Sequence, residues 1–226
     1  MRAAFVEQKS NKSDKYIRIE EMNEKFSYSM IKRLIDLIFS LFGIIFLMPL
    51  FIIVSLLIKL EDPNGSVFFK QIRVGKNGKE FYIYKFRTMV IDAEKQLEDL
   101  FKYNEVNGLM FKMKEDPRIT KIGKFLRNTS LDEFPQLFNV LKGEMSLVGP
   151  RPPLPREVKE YTNYHKQRLY VLPGCTGLWQ VTSRNNVGFE EMVMLDLEYI
   201  EKRSIFFDLR IIISTFNVLL INKTGY

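Results

Sequence analysis

At 226 residues with net charge +7 and a pI near 9.3, the chain has room for one sizeable core plus an anchoring element. Its one cysteine, Cys175, excludes an intrachain disulfide framework and a cysteine zinc cluster. Its one histidine, His165, argues against histidine-rich metal sites and histidine-driven catalysis, so chemistry falls to carboxylates, Lys, Arg and backbone groups. The positive charge suits nucleic acid, anionic lipid and small anionic substrates about equally.

Residues 1–28 are polar, mixed in charge, and lack the pattern of a secretory signal; they are expected to form a leader on the cytoplasmic side. Residues 29–60 read as a membrane anchor, because Leu37 to Ile58 holds 22 residues without a charged side chain. A helix needs about 20 such residues to cross hydrocarbon. Basic residues flank the run on both sides, so the positive-inside bias favours neither orientation of a straight crossing. Pro49 removes the backbone bond to Ile45 and bends a helix. A bent helix that dips in and returns satisfies both flanks; a kinked ordinary crossing remains open. Asp36 sits within one turn of Lys32 and Arg33, and the expectation is an ion pair at the helix mouth rather than a ligand.

Residues 61–226 are read as a membrane-associated catalytic domain. After a turn-rich break, residues 67–74 and 80–86 predict a hairpin around Gly75-Lys76-Asn77-Gly78. On its second strand Phe81, Ile83, Lys85 and Arg87 share a face, so two cations end an otherwise apolar stripe. Residues 90–105 predict a surface helix closed by Asn107-Gly108. A turn at Asp116-Pro117-Arg118 leads to a short helix, KIGKFLR, ending at Arg127 with Asn128 as a left-handed cap. Arg118 and Arg127 thus bracket the approach to Asp132-Glu133.

The acidic pair opens a helix whose apolar stripe is Leu137, Phe138, Val140 and Leu141. Ser130 with Glu133 fits a capping box, whereas Asp132 as cap places Pro135 in the first turn; the sequence does not choose. Either way Asp132 lies near the positive end of a helix. Neighbouring carboxylates cannot straddle a bond as a glycosidase pair does. They can divide labour around one phosphate, one attacking phosphorus and the other holding Mg²⁺. Gly149-Pro150-Arg151-Pro152-Pro153 is stiff and fixes the direction of the Arg151 guanidinium, which suits phosphate. A polar helix is expected over 156–170 with His165 at the surface, turn and strand over 171–185 with Arg184 as a further anion ligand, and a helix over 190–202. Cys175 reads as a small packed side chain. The apolar run 204–221 is broken by Asp208 and Arg210; too short to span, it is expected to lie along the interface as an amphipathic helix. The fold class is therefore α/β of the α+β kind: an N-terminal re-entrant membrane helix, a small antiparallel hairpin and amphipathic interfacial helices.

Lys32-Arg33 with Asp36, KFRTM at 85–89, DPRIT at 116–120, RNTSLDEFPQLFNVLKGEMSLVGPRP at 127–152 and PGCTG at 173–177 together resemble the bacterial sugar transferases, the monotopic polyprenyl-phosphate phosphoglycosyl transferases, in their small catalytic-core form. The resemblance covers about residues 30–221. It implies a UDP-sugar donor, undecaprenyl phosphate as acceptor, Mg²⁺ as cofactor, and a place on the cytoplasmic face of a bacterial inner membrane. It implies that Asp132 is the nucleophile, forming a phosphosugar-aspartyl intermediate with release of UMP, and that Glu133 is the metal ligand. Arg127, Arg118 and Arg151, with Lys85 and Arg87, would handle phosphates or uridine. The anchor would be re-entrant, bent at Pro49. Two positions depart from the family pattern: Met48 replaces a Ser before the membrane proline, leaving Ser40 or water to relieve the broken ladder. Leu172 replaces an Arg before the Pro-Gly turn, leaving Arg168 or Arg184 to cover. The sugar, the glycan pathway, a homodimer and contacts with other enzymes stay open. The competing reading is a tethered nucleotide-sugar-binding regulator without turnover. Nucleic acid is disfavoured because the cations are dispersed rather than grouped with exposed aromatics.

Overall fold

The computed structural model describes residues 26–104, 113, 115–182 and 188–221. Most of the expected leader, the Asn107-Gly108 stop and Arg184 lie outside these residues.

Helix α1, Phe26–Glu61, runs 36 residues with Pro49 inside it. It begins within the stretch expected to be leader. One stripe of it is buried: Asp36, Ser40, Ile44, Phe51, Val54 and Ile58, at the spacing of a single helical face. The rest is exposed and apolar, with Phe42, Phe46 and Leu60 each more than 70% accessible. By length and composition α1 is able to enter a bilayer.

The polar groups of α1 are spent on main-chain atoms of the domain. Arg33 donates to the carbonyls of Val140 (2.6 Å) and Leu141 (2.9 Å) at the end of α4, Gln136–Lys142. Glu61 accepts from the Lys121 amide (2.7 Å) and Ile122 amide (3.1 Å) at the start of α3, Lys121–Asn128. A cation thus sits at a helix C-terminus and a carboxylate at an N-terminus, as the backbone dipoles favour. Asp36 accepts from the Leu147 amide at 3.0 Å. Lys32 pairs with Asp208 at 2.9 Å. The expected pairing of Asp36 with Lys32 or Arg33 is therefore corrected: each finds a better-placed partner on the domain. Ser40 donates to the Asp36 carbonyl at 2.6 Å, so it does not relieve Ile45.

The hairpin pairs β1, Phe68–Val74, with β2, Glu80–Phe86, antiparallel, with Arg73 opposite Phe81 and Phe69 opposite Lys85. A second pair, which the sequence reading did not anticipate, is parallel: β3, Ser146–Val148, beside β4, Gly174–Thr176. Asn139 of α4 straps the helix to β2. It accepts from the Tyr84 amide (3.0 Å) and donates to the Tyr82 carbonyl (2.6 Å) and Glu144 (2.7 Å). Phe81, Ile83, Val140 and Met145 fill the space beneath this strap.

The helix expected over 90–105 shrinks to α2, Leu97–Leu100, because residues 91–96 turn instead. The Ala93 carbonyl, which a continuing helix would use, accepts from Arg118 at 3.0 Å. The expected polar helix over 156–170 is broken into α5, Pro155–Lys159, and α6, Asn163–Lys166, where Thr162 caps a new start by accepting from the His165 amide. His165 is not a plain surface residue: its ring packs edge-on to Phe189 at 5.0 Å. After β4 come α7, Leu178–Thr182, α8, Phe189–Lys202, and α9, Ile205–Ile221. Val193, Leu197 and Ile200 of α8 pack with Val148 and with Ile211 of α9. Phe206, Ile213 and Phe216 of α9 remain exposed, giving a second apolar surface.

Asn139 is fully buried and holds three bonds, so Asn139→Ala leaves two backbone groups and Glu144 without their partner. A loss of about 2–4 kcal/mol is expected, read as a lower Tm in thermal unfolding of the purified protein.

Candidate active site

The acidic pair does not open the long helix. Helix α3 ends at Asn128, and the left-handed residue is Ser130 (φ 56°) rather than Asn128. A single 3-10 turn, Leu131–Glu133, follows, and Pro135 then starts α4. Neither proposed cap forms: Ser130 makes no side-chain cap bond, and Glu133 points to Lys85 instead of back to the Ser130 amide. Leu131 and Phe134, on either side of the pair, pack into a cluster with Phe51, Val54 and Ile58 of α1. Burial of those two apolar neighbours directs Asp132 and Glu133 toward the hairpin.

Lys85, at the inner end of β2, donates to Glu133 Oε1 at 2.5 Å. Burial works against the charged form of Glu133, but Lys85, Arg151 and Arg73 outweigh it and pull the group down to about 2. Asp132 is 8% exposed, and no described side chain donates to it. Burial pushes it up to about 6, the pull of Lys85 and Arg127 being offset in part by the charge of Glu133. The two acids influence each other, Glu133 staying ionised well below the usual carboxylate range and Asp132 ionising only above about 6.

Arg151 reaches the same cleft from a loop whose conformation is fixed by its carbonyls. Prolines donate nothing, so the acceptors around them need outside donors. Pro150 O accepts from the Gly174 amide (2.9 Å), Arg151 O from Arg168 (3.3 Å), Pro152 O from Arg73 (3.0 Å) and Pro153 O from the Val74 amide (2.9 Å). The crossing of this loop with β4 is too close for a side chain: a Cβ on Gly174 would stand 2.0 Å from the Gly149 nitrogen. Lys85, Glu133, Arg151, Arg73, Gln180 and Cys175 line one cleft of about 250 Å³, counted to its open mouth. Burial pushes the Cys175 thiol up, in keeping with an inert packed group.

Of the candidates read from sequence, Asp132, Glu133, Lys85 and Arg151 come together, with Arg127 close enough to act on Asp132 through its charge. Arg127 also donates to Thr88 at 2.9 Å. Arg87 leaves the strand and turns to Asp62 (3.6 Å) and Ser66 (2.8 Å), tying the hairpin to the end of α1. Arg118 is buried, held by Asp116 at 2.6 Å and by the Ala93 carbonyl. Arg168, a candidate to cover for Leu172, is buried against Asp196 (2.6 Å) and the Tyr161 hydroxyl (2.8 Å). Three polar cleft residues escaped the sequence reading, Arg73, Gln136 and Gln180. Arg73 was within reach: the hairpin register places it on the face that carries Lys85.

The sequence of almost the whole described chain, residues 27–222, matches the model of the bacterial sugar transferases. The chain belongs to that family. It is 47% identical over 198 residues to the galactosyl transferase CpsE of Streptococcus agalactiae serotype III, covering 87% of this chain and 44% of CpsE. It is 40% identical over 214 residues to an undecaprenyl-phosphate galactose phosphotransferase of Salmonella typhimurium, covering 93% of this chain and 44% of that relative. With the exopolysaccharide production protein ExoY of Sinorhizobium fredii it shares 39% identity over 199 residues, 86% of this chain and 88% of ExoY. The chain thus spans less than half the length of the first two relatives and most of the third.

A carboxyl held up to about 6 costs the folded state at neutral pH, where it ionises. Asp132→Asn is therefore expected to be more stable than the parent at pH 7.5 by about 1–3 kcal/mol. The gain should fade as pH drops through 6 toward 3, where the carboxyl is protonated in folded and unfolded chains alike. Thermal unfolding of both proteins across that range checks it.

Proposed function

We propose that the protein transfers a sugar 1-phosphate from a UDP-sugar to undecaprenyl phosphate at the cytoplasmic face of a bacterial plasma membrane, with release of UMP. The observation that carries this reading is the placing of the acid pair: a buried Asp132 beside a Glu133 bonded to Lys85, with Arg151 and Arg73 lining the same cleft. The names of the relatives, an undecaprenyl-phosphate galactose phosphotransferase among them, support it.

In the first step a carboxylate oxygen of Asp132 attacks the sugar-bearing phosphorus. The bond from that phosphorus to the bridging oxygen breaks, and UMP leaves with the electron pair. In the second, an oxygen of the lipid phosphate attacks the same phosphorus and expels the Asp132 carboxylate, giving the lipid diphosphate sugar. Splitting transfer in this way spares the protein from holding a soluble nucleotide and a lipid phosphate together. Desolvation strengthens Asp132 as a nucleophile, and Lys85, Arg151 and Arg127 offset the phosphate charge that would repel it. The residues fit Mg²⁺, which takes one or two carboxylates and completes its shell with phosphate oxygens and water. Glu133, with the neighbouring Asp132, would hold it, and it would neutralise charge on the diphosphate. Glu133 is held in its ionised form by Lys85, which bonds one of its two oxygens.

For the anchor we favour the re-entrant form with both ends on the domain side. Arg33 and Asp36 near one end and Glu61 at the other bond to the same domain, which a straight crossing would separate by the bilayer. The exposed apolar faces of α1 and α9 then meet lipid, and the acid pair stands at headgroup level, where the lipid phosphate presents itself.

Asp132→Asn should fold and yet lose turnover by about 1,000-fold or more, along with exchange of labelled UMP into UDP-sugar in the absence of lipid. Exchange at the parent rate would remove Asp132 as nucleophile, and its absence in the parent would favour a regulator that only binds. The donor half-reaction should fall about tenfold per pH unit below about 6, since Asp132 must be ionised to attack. Lys85→Met should move that limb upward, because Lys85 favours the ionised form.

A further inference from the structure

We propose that Arg73 and Gln180 form the subsite that holds a hydroxyl of the donor's sugar. This rests on the reading of the reaction given above. The cleft beside the acid pair contains a donor and an acceptor that bond to nothing: Arg73 Nε and Gln180 Oε1, both buried. Buried polar atoms are almost always paired, so two unpaired ones on residues that line one cleft mark a place that a ligand completes.

Arg73 is held for this purpose. Its side chain is nine-tenths buried, one terminal nitrogen bonds the Pro152 carbonyl at 3.0 Å and the other bonds Gln71 at 2.8 Å. With both tips engaged, only the Nε edge is left. Burial and the nearby Arg151 pull the guanidinium down to about 10, so it gains from any group that accepts its hydrogen. Gln180, on α7, lines the same cleft and folds back so that Oε1 stands 3.2 Å from where a Cβ on Gly177 would be.

The ligand that suits this pair is a hydroxyl. It accepts from Arg73 and donates to the amide, or accepts from the amide if Gln180 turns over. A phosphate oxygen would satisfy Arg73 but leave the carbonyl of Gln180 facing like charge. Position argues the same way: Glu133 lines the cleft with Gln180, and the sugar is bonded directly to the phosphorus that Asp132 attacks, whereas uridine stands one phosphate further off.

The test is a cycle between side chain and substrate. A panel of UDP-sugars with undecaprenyl phosphate first identifies a sugar that the parent protein turns over. Its analogues, each lacking one hydroxyl, are then compared in the parent, Gln180→Ala and Arg73→Lys. The expected result is one analogue on which the parent loses about 100-fold in kcat/KM. Gln180→Ala should lose about as much on the intact sugar and nothing more on that analogue, with inhibition by UMP unchanged. Losses that multiply for every hydroxyl, a rate equal to the parent's, or weaker inhibition by UMP in step with the loss would each overturn the subsite. Arg73→Lys keeps the charge and removes Nε, and it should repeat the pattern at the same hydroxyl. No UMP from any UDP-sugar with the parent protein would instead overturn the reaction itself.

Discussion

The whole arrangement depends on how α1 divides its surface. One stripe is buried by the domain, and the charged residues on or beside it meet main-chain groups there. Arg33, Asp36 and Glu61 bond the main-chain ends of α4, β3 and α3. Each charge stands where the backbone carries an opposite partial charge, so the helix and the domain stabilise each other. The acid pair inherits its position from this, because Leu131 and Phe134 are held in the same apolar cluster as the middle of α1.

The site is built from backbone more than from side chains. The prolines after Gly149 bring acceptors without donors, and the hairpin, β4 and Arg168 supply the missing hydrogens. This binds four separate stretches of chain around Arg151. Asn139 does the same for Lys85 by fixing β2 to α4. Two cations, Lys85 and Arg151, are thus placed about the acids by bonds made elsewhere on their own strand and loop. The acids themselves are set apart by surroundings alone: adjacent in sequence, one buried with no described side chain donating to it and the other bonded to Lys85.

Much of this was legible in the chain. Period and turn chemistry located α1, the hairpin and α9, and the acid pair between Arg127 and Arg151 stood out. What escaped were features that depend on distant partners. The parallel pairing of β3 with β4 joins segments too short to show a period. The helix expected over 90–105 lost its first turns to Arg118, a residue beyond its own stretch. Arg87 and Arg118 look like Lys85 and Arg151 in a sequence, and only the fold tells that Asp62 and Asp116 already occupy them. Gln180 gave no local signal, since an unpaired amide is a property of its surroundings.

The contact at Asp208 has a consequence for how the molecule is made. Asp208 accepts from Tyr28, Lys32 and Tyr199, so it joins α1 to α9 across a separation of 176 residues or more. Chains emerge from the ribosome N-terminus first. Helix α1 is therefore made long before Asp208, the counter-ion of Lys32, exists. Closure of this knot waits until α9 has been made, and the packing of α9 on α1 is a late step of folding.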